Sequence, residues 1–89
     1  MPRTDVAAMQ RKRDVEGLIR ALADPSETVR AAAATALGAV GDSRAAEPLK
    51  HAKFSDGSPD VRRAASAAHT WLVTRLQAER MLKGGRYAP

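Results

Sequence analysis

A phrase that occurs twice sets the terms for this chain. Val29-Arg30 followed by Ala32-Ala33 returns as Val61-Arg62 followed by Ala64-Ala65, a spacing of 32 residues. Each copy is preceded by an acidic turn, Asp24-Pro25-Ser26 and Asp56-Gly57-Ser58. The stretches between them repeat too: Glu16-Gly17-Leu18 corresponds to Glu47-Pro48-Leu49 and Ala21 to Ala52, at a spacing of 31. A period of this length that holds two helices marks an α-solenoid, in which each unit buries its apolar face only against its neighbours.

The first copy, Glu27 to Val40, places Val29, Ala32, Ala33, Ala36, Leu37 and Val40 at the spacing of one helix face. Most of that face is alanine, and such small side chains let another backbone approach closely. The fold expected is therefore all-α: a short α-solenoid of about two repeats, with four antiparallel helices and a long C-terminal helix.

The acidic-proline turn Asp24-Pro25, the Val29-Arg30 opening, the close Leu37-Gly38-Ala39-Val40-Gly41-Asp42 and the segment Arg44-Ala45-Ala46-Glu47-Pro48-Leu49 together resemble the HEAT repeat. The likeness is to the short bacterial and archaeal HEAT-like repeats also found in phycobilisome lyases, and it covers roughly residues 14 to 72. It implies a helical scaffold in which Arg30, Arg62, Asp24 and Asp42 serve structure. It says little of function, because a fold hosts many.

With 89 residues the chain makes one domain at most. It has no cysteine, hence no disulfide and no thiolate metal site, which suits a reducing compartment. No apolar run is long enough for a membrane helix and no leader pattern opens the sequence, so a cytoplasmic protein is expected. The net charge of +5 sits at the ends: residues 1–23 hold five basic and three acidic side chains, 24–53 four and four, and 54–89 six and three.

In chain order, residues 1–13 are expected as a frayed or partly helical arm, because extending the stripe of Val15, Leu18, Ile19 and Leu22 backward lands on Arg11 and Lys12, which are costly to bury. A helical-repeat domain then spans 14–83. Its first helix, about 14–23, is a second helix of a repeat without the first, and Asp24 or Ser26 caps the next. Asp42 or Ser43 caps the third helix, in which Pro48 bends the early turns. There Ile19 and Leu22 have become Lys50 and Lys53. Either this face is solvated, with Phe54 filling in over the alanines, or it is a basic surface kept for a partner.

After Ser58-Pro59-Asp60, no glycine or proline intervenes before Gly84-Gly85. One helix over about 59–83, roughly 36 Å long, is expected. The competing reading breaks it at Thr74, which stands at capping-box spacing from Gln77. Val61, Ala64, Ala65, Ala68, Leu72 and Leu76 form its apolar stripe, but Arg75, Glu79 and Lys83 enter the centre of that stripe. Trp71, Ala78 and Leu82 run along one shoulder, with Met81 further round. Residues 84–89 are expected as a flexible tail.

No catalytic constellation stands out: no nucleophile beside a histidine, no Gly-rich phosphate loop, no His-Glu-x-x-His and no Cys pair. HEAT-like iron hydroxylases carry His-Glu pairs, and neither His51 nor His69 is followed by Glu. HEAT-like glycosylases and bilin lyases build their grooves from much larger arrays. No cofactor and no metal site is expected, and His51 reads as a surface histidine. The leading expectation is a non-catalytic interaction module that binds protein through Arg20, Lys50, His51 and Lys53, or associates with itself or a helical partner through Trp71, Ala78, Met81 and Leu82. The alternative is weak electrostatic binding of nucleic acid through Arg11, Lys12 and Arg13 with Lys50 and Lys53, which requires both clusters on one face.

Overall fold

The computed structural model describes residues 4–84. The elements are α1 (Val6–Arg11), α2 (Val15–Ala21), α3 (Glu27–Val40), a 3-10 turn (Ser43–Ala45), α4 (Ala46–Ser55) and α5 (Pro59–Gly84), and no strand occurs among the described residues. α3 is central and packs against α1, α2 and α5, while α4 packs against α5. Thus α2–α3 and α4–α5 are helical hairpins closed by the two acidic turns, stacked side by side in a slab of 56 × 27 × 14 Å.

Short polar side chains start the helices. Asp5 accepts a hydrogen bond from Ala8 N at 3.0 Å, Asp14 from Gly17 N at 2.9 Å and Ser26 from Val29 N at 3.3 Å. Ser58 repeats the role of Ser26 one unit later, accepting from Val61 N at 3.3 Å. Each satisfies a backbone donor that the first helical turn leaves free. Asp42, not Ser43, begins the second reversal by accepting from Arg44 N. Pro48 is the third residue of α4, which follows directly on the 3-10 turn.

The N-terminal segment is helical in part, and its helix packs on the core. Residues 6–11 are helical, and Val6 and Met9 pack against the core, so α2 does have a preceding helix. What hides it from a periodicity reading is the junction. Arg13 N–H donates to Gln10 O at 3.1 Å and Asp14 N–H to Met9 O at 2.9 Å, the paired bonds of a Schellman close, with Arg13 left-handed at φ 55°. The chain turns there, so the apolar pattern of α2 does not extend into α1. Met1 to Arg3, and residues 85–89 of the expected tail, lie outside the described residues.

The stripe of α3 is also displaced. Ala33, Ala34, Ala36, Leu37 and Gly38 are buried, Val29 and Val40 are half-buried, and Ala32 is exposed. A helix enclosed by three others buries a wider arc than a one-face pattern describes. Gly38 sets the closest approach: a Cβ there would lie 3.0 Å from both Cα and Cβ of Ala68 on α5. Leu18, Leu37, Leu49, Leu72 and Val61 are fully buried around this contact.

α5 runs unbroken through Thr74, the long C-terminal helix the sequence leads one to expect. Val61, Ala65, Ala68 and Leu72 are buried, and Leu76 is the last residue packed on the core.

Candidate functional site

The joint between the two hairpins is built from the repeated phrase itself. Arg30 on α3 forks onto the Asp56 carboxylate of the next turn, Nε to Oδ2 at 2.9 Å and Nη2 to Oδ1 at 3.2 Å. Its Nη1 donates to Asp24 O and Pro25 O of its own turn, at 2.9 and 3.1 Å. Arg30 thus serves both its own and the neighbouring repeat. Burial pushes the Asp56 carboxyl up, but the hydrogen bonds from Arg30 and Ser58 N and the charges of Arg30 and Arg62 outweigh it and hold Asp56 below the ordinary carboxylate range. Beside this fork, Ser58 Oγ donates to Glu27 Oε2 at 3.0 Å, a second tie between the turns.

A groove of about 560 Å³ runs along the other side of this joint. One wall is Ile19, Leu22, Ala23 and Arg30, and the facing wall is Pro48, His51, Ala52, Ser55 and Asp56. Of the expected basic face, only His51 lines it. Arg20 lies instead in the groove between α1 and α2, and Lys53 in a groove of about 320 Å³ with Phe54, Arg62 and Arg63. Lys50 is exposed on α4. His51, Arg20 and Lys53 thus line three different grooves, and Lys50 stands one turn before Lys53 on α4. Phe54 does not fill in over alanine: it is 68% exposed, with the Lys53 ammonium 5.2 Å from its ring centroid, at cation–π distance.

The basic run meets opposite charge. Arg11, Lys12 and Arg13 are all exposed at the α1–α2 junction. Lys12 and Arg20 share their groove with Asp5, Asp14 and Asp24. A path for a phosphate backbone requires these cations and those of α4 on one continuous positive surface. Beside Lys12 and Arg20 that surface also carries three carboxylates.

One line of exposed residues along α5 is mostly apolar. Ala67, Trp71, Thr74, Ala78 and Met81 are all exposed and follow one another at alternating spacings of four and three residues, the period of a helix-pairing seam. Trp71 is 56% exposed, Met81 72% and Leu82 86%. Trp71 also walls a small groove with Thr35, Ala64, Ala67 and Ala68, between α3 and α5. Beyond Leu76 nothing among the described residues covers α5: residues 77–82 are exposed on every side.

Sequence reasoning missed the role of Arg75. Its Nη2 donates to Gly38 O at 2.9 Å and to Gly41 O at 3.1 Å, so it covers carbonyls that the end of α3 leaves without helical partners. The signal was a lone arginine inside an apolar stripe, where a buried polar partner has to exist.

Among the described residues no group of His, Asp or Glu is arranged to hold a metal ion, and no helix is long and apolar enough to cross a membrane. Stacked helical hairpins tied turn to turn define an α-solenoid. The sequence profile for HEAT repeats matches residues 5–70, and the chain belongs to the HEAT-repeat family, whose members generally mediate protein–protein interaction and are typically non-catalytic. No curated protein and no solved structure gives a match.

Proposed function

We propose that this chain is a non-catalytic protein-interaction module that pairs α5 with a helix, supplied by a second copy of the chain or by another helical protein. The observation that carries this reading is the exposed seam Ala67, Trp71, Thr74, Ala78 and Met81, which continues past the end of α3 for about 21 Å in all at 1.5 Å per residue. A helix with an aromatic anchor and a period-3.5 apolar face in water has a face suited to pairing. Leu82 extends the face at its far end. The close Leu37-Gly38-Ala39-Val40-Gly41-Asp42 supports grouping these repeats with the short bacterial and archaeal type, and a cysteine-free chain suits the cytoplasm.

Light scattering from micromolar to near-millimolar concentration tests it. The wild-type mass rises above one chain, and Trp71→Ala and Leu82→Glu hold it at one chain with an unchanged helical circular dichroism spectrum. A wild-type mass of one chain throughout removes the second copy as occupant. Association unaffected by both substitutions removes the α5 seam.

A further inference from the structure

The inter-repeat joint occurs once closed and once open. Arg62 stands 32 residues after Arg30 and uses the same nitrogen in the same way: its Nη1 donates to Asp56 O at 2.7 Å, as Arg30 Nη1 donates to Asp24 O. The acidic turns match as well, since Asp24 Oδ1 accepts from Ser26 N and Asp56 Oδ1 from Ser58 N, each at 2.9 Å. The difference lies in the other edge of the guanidinium. Arg30 sets Nε and Nη2 on the Asp56 carboxylate, whereas Nε and Nη2 of Arg62 meet no carboxylate among the described residues.

The surroundings of Arg62 repeat those of Arg30 with one wall gone. Leu22, Ala23 and Arg30 form one side of the closed groove, and their counterparts Lys53, Phe54 and Arg62 form the groove at the α4–α5 edge. In the closed groove the opposite wall is a helix ending in an acidic turn. At the open one α5 continues straight to Gly84 and folds no helix back over Arg62. Neighbouring Arg63 is already paired with Asp60 on its own helix, which leaves Arg62 and Lys53 as the cations facing this groove.

We infer that this edge is a second docking surface, for the acidic turn of a helical hairpin belonging to a different protein. The partner's carboxylate takes the Nε–Nη2 edge of Arg62 as Asp56 takes that of Arg30, and an apolar side chain from the helix before its turn covers Phe54. A bidentate arginine–carboxylate fork fixes orientation as well as partner, so the docked hairpin continues the register of the array. A second copy offers no vacant turn of this kind: its Asp56 is already forked by Arg30, and α1, packed on α3, occupies the flank of its Asp24, with Thr4 Oγ1 donating to Asp24 Oδ2 at 2.9 Å. This surface lies on the α4 side of α5 and is independent of the seam proposed above.

The test uses the full chain, labelled with nitrogen-15, and a synthetic peptide copying residues 43–58, which carries the closed groove's own wall and its Asp56 turn. Titration moves the Nε–Hε resonance of Arg62, and a twin peptide with Asp56→Asn binds roughly tenfold more weakly, the scale of a lost charge-assisted fork. Arg62→Lys in the full chain brings the same loss, while Arg11→Gln, at the distant α1–α2 junction, leaves the affinity unchanged. The wild-type resonance itself reports the contact, so the outcome does not hang on a variant that folds. Equal binding of the two peptides, or a motionless Arg62 resonance at millimolar peptide, overturns the inference. So does a short oligouridylate that moves Arg62 at lower concentration than the peptide, since the groove then reads phosphate.

Discussion

The two ends of α5 belong to one continuous helix and live in different environments. Near its start, Val61, Ala65 and Ala68 sit against α3, Gly38 allows contact at backbone distance, and the Arg30–Asp56 fork locks the turns together. Past Leu76 the same helix has no neighbour among the described residues, and Met81 and Leu82 are largely exposed. A solenoid phrase therefore does not fix its own burial. It supplies half of a joint, and whether the other half is in the chain decides whether a side chain holds the fold or meets a partner.

The sharpest break of this comparison places one cut in each copy. Leu37→Ala removes a fully buried side chain and should lower stability by about 2 to 5 kcal/mol. The residue in the same register of the second copy is half-buried His69, and His69→Ala should change stability by less than about 1 kcal/mol. Chemical denaturation of both variants checks this, and similar losses would mean that the second copy is as enclosed as the first.

Overpacking gives the next largest effect. Ala33 is fully buried on α3, and Ala33→Leu should destabilise by about 1 to 3 kcal/mol, read as a lower thermal midpoint.

The arginines sharpen the contrast electrostatically. Arg30→Gln breaks a fork whose side chains are only 19% and 9% exposed and should cost about 1 to 3 kcal/mol at neutral pH. Arg62→Gln loses one bond to a backbone carbonyl and should cost at most about 1 kcal/mol. The Asp56 carboxyl is held below its ordinary value of 3.8, so its contribution is complete above that pH and is lost as pH falls through the depressed folded value. The gap between wild type and Arg30→Gln should therefore narrow in acid denaturation below about pH 4. A gap independent of pH would show that the fork contributes only packing.

The smallest effect runs the other way. Arg13 holds a left-handed backbone that glycine adopts without penalty, and Arg13→Gly should raise stability by about 0.5 to 1 kcal/mol if α1 is as firmly seated as its Schellman close indicates. An unchanged midpoint would show that α1 melts before the rest.

Much of the fold was legible because repetition is a long-range signal. The spacing from Val29-Arg30 to Val61-Arg62 gives two hairpins and their turns, and the missing breaker after Thr74 gives the long helix. α1 was not legible, since a left-handed Arg13 leaves no glycine to mark the junction. The displaced face of α3 was not legible either, because a stripe records one neighbour and α3 has three. Of the candidate residues, Trp71, Ala78, Met81 and Leu82 are read from a periodicity that survives folding, and all four are exposed. Arg20, Lys50, His51 and Lys53 were grouped by register, and which groove each one lines depends on how α2 and α4 pack, which register does not carry. The forked use of Arg30, and its unfinished copy at Arg62, needs side-chain geometry that spacing alone does not carry.

Amide hydrogen exchange along α5, followed at low and at high protein concentration, tests the central contrast most directly. Residues 61–75 should be protected at both concentrations, whereas 77–84 should exchange freely in the dilute chain and gain protection as association sets in. Strong protection of 77–84 in a dilute sample whose mass is one chain would contradict it, since the far half of α5 would then be covered from within.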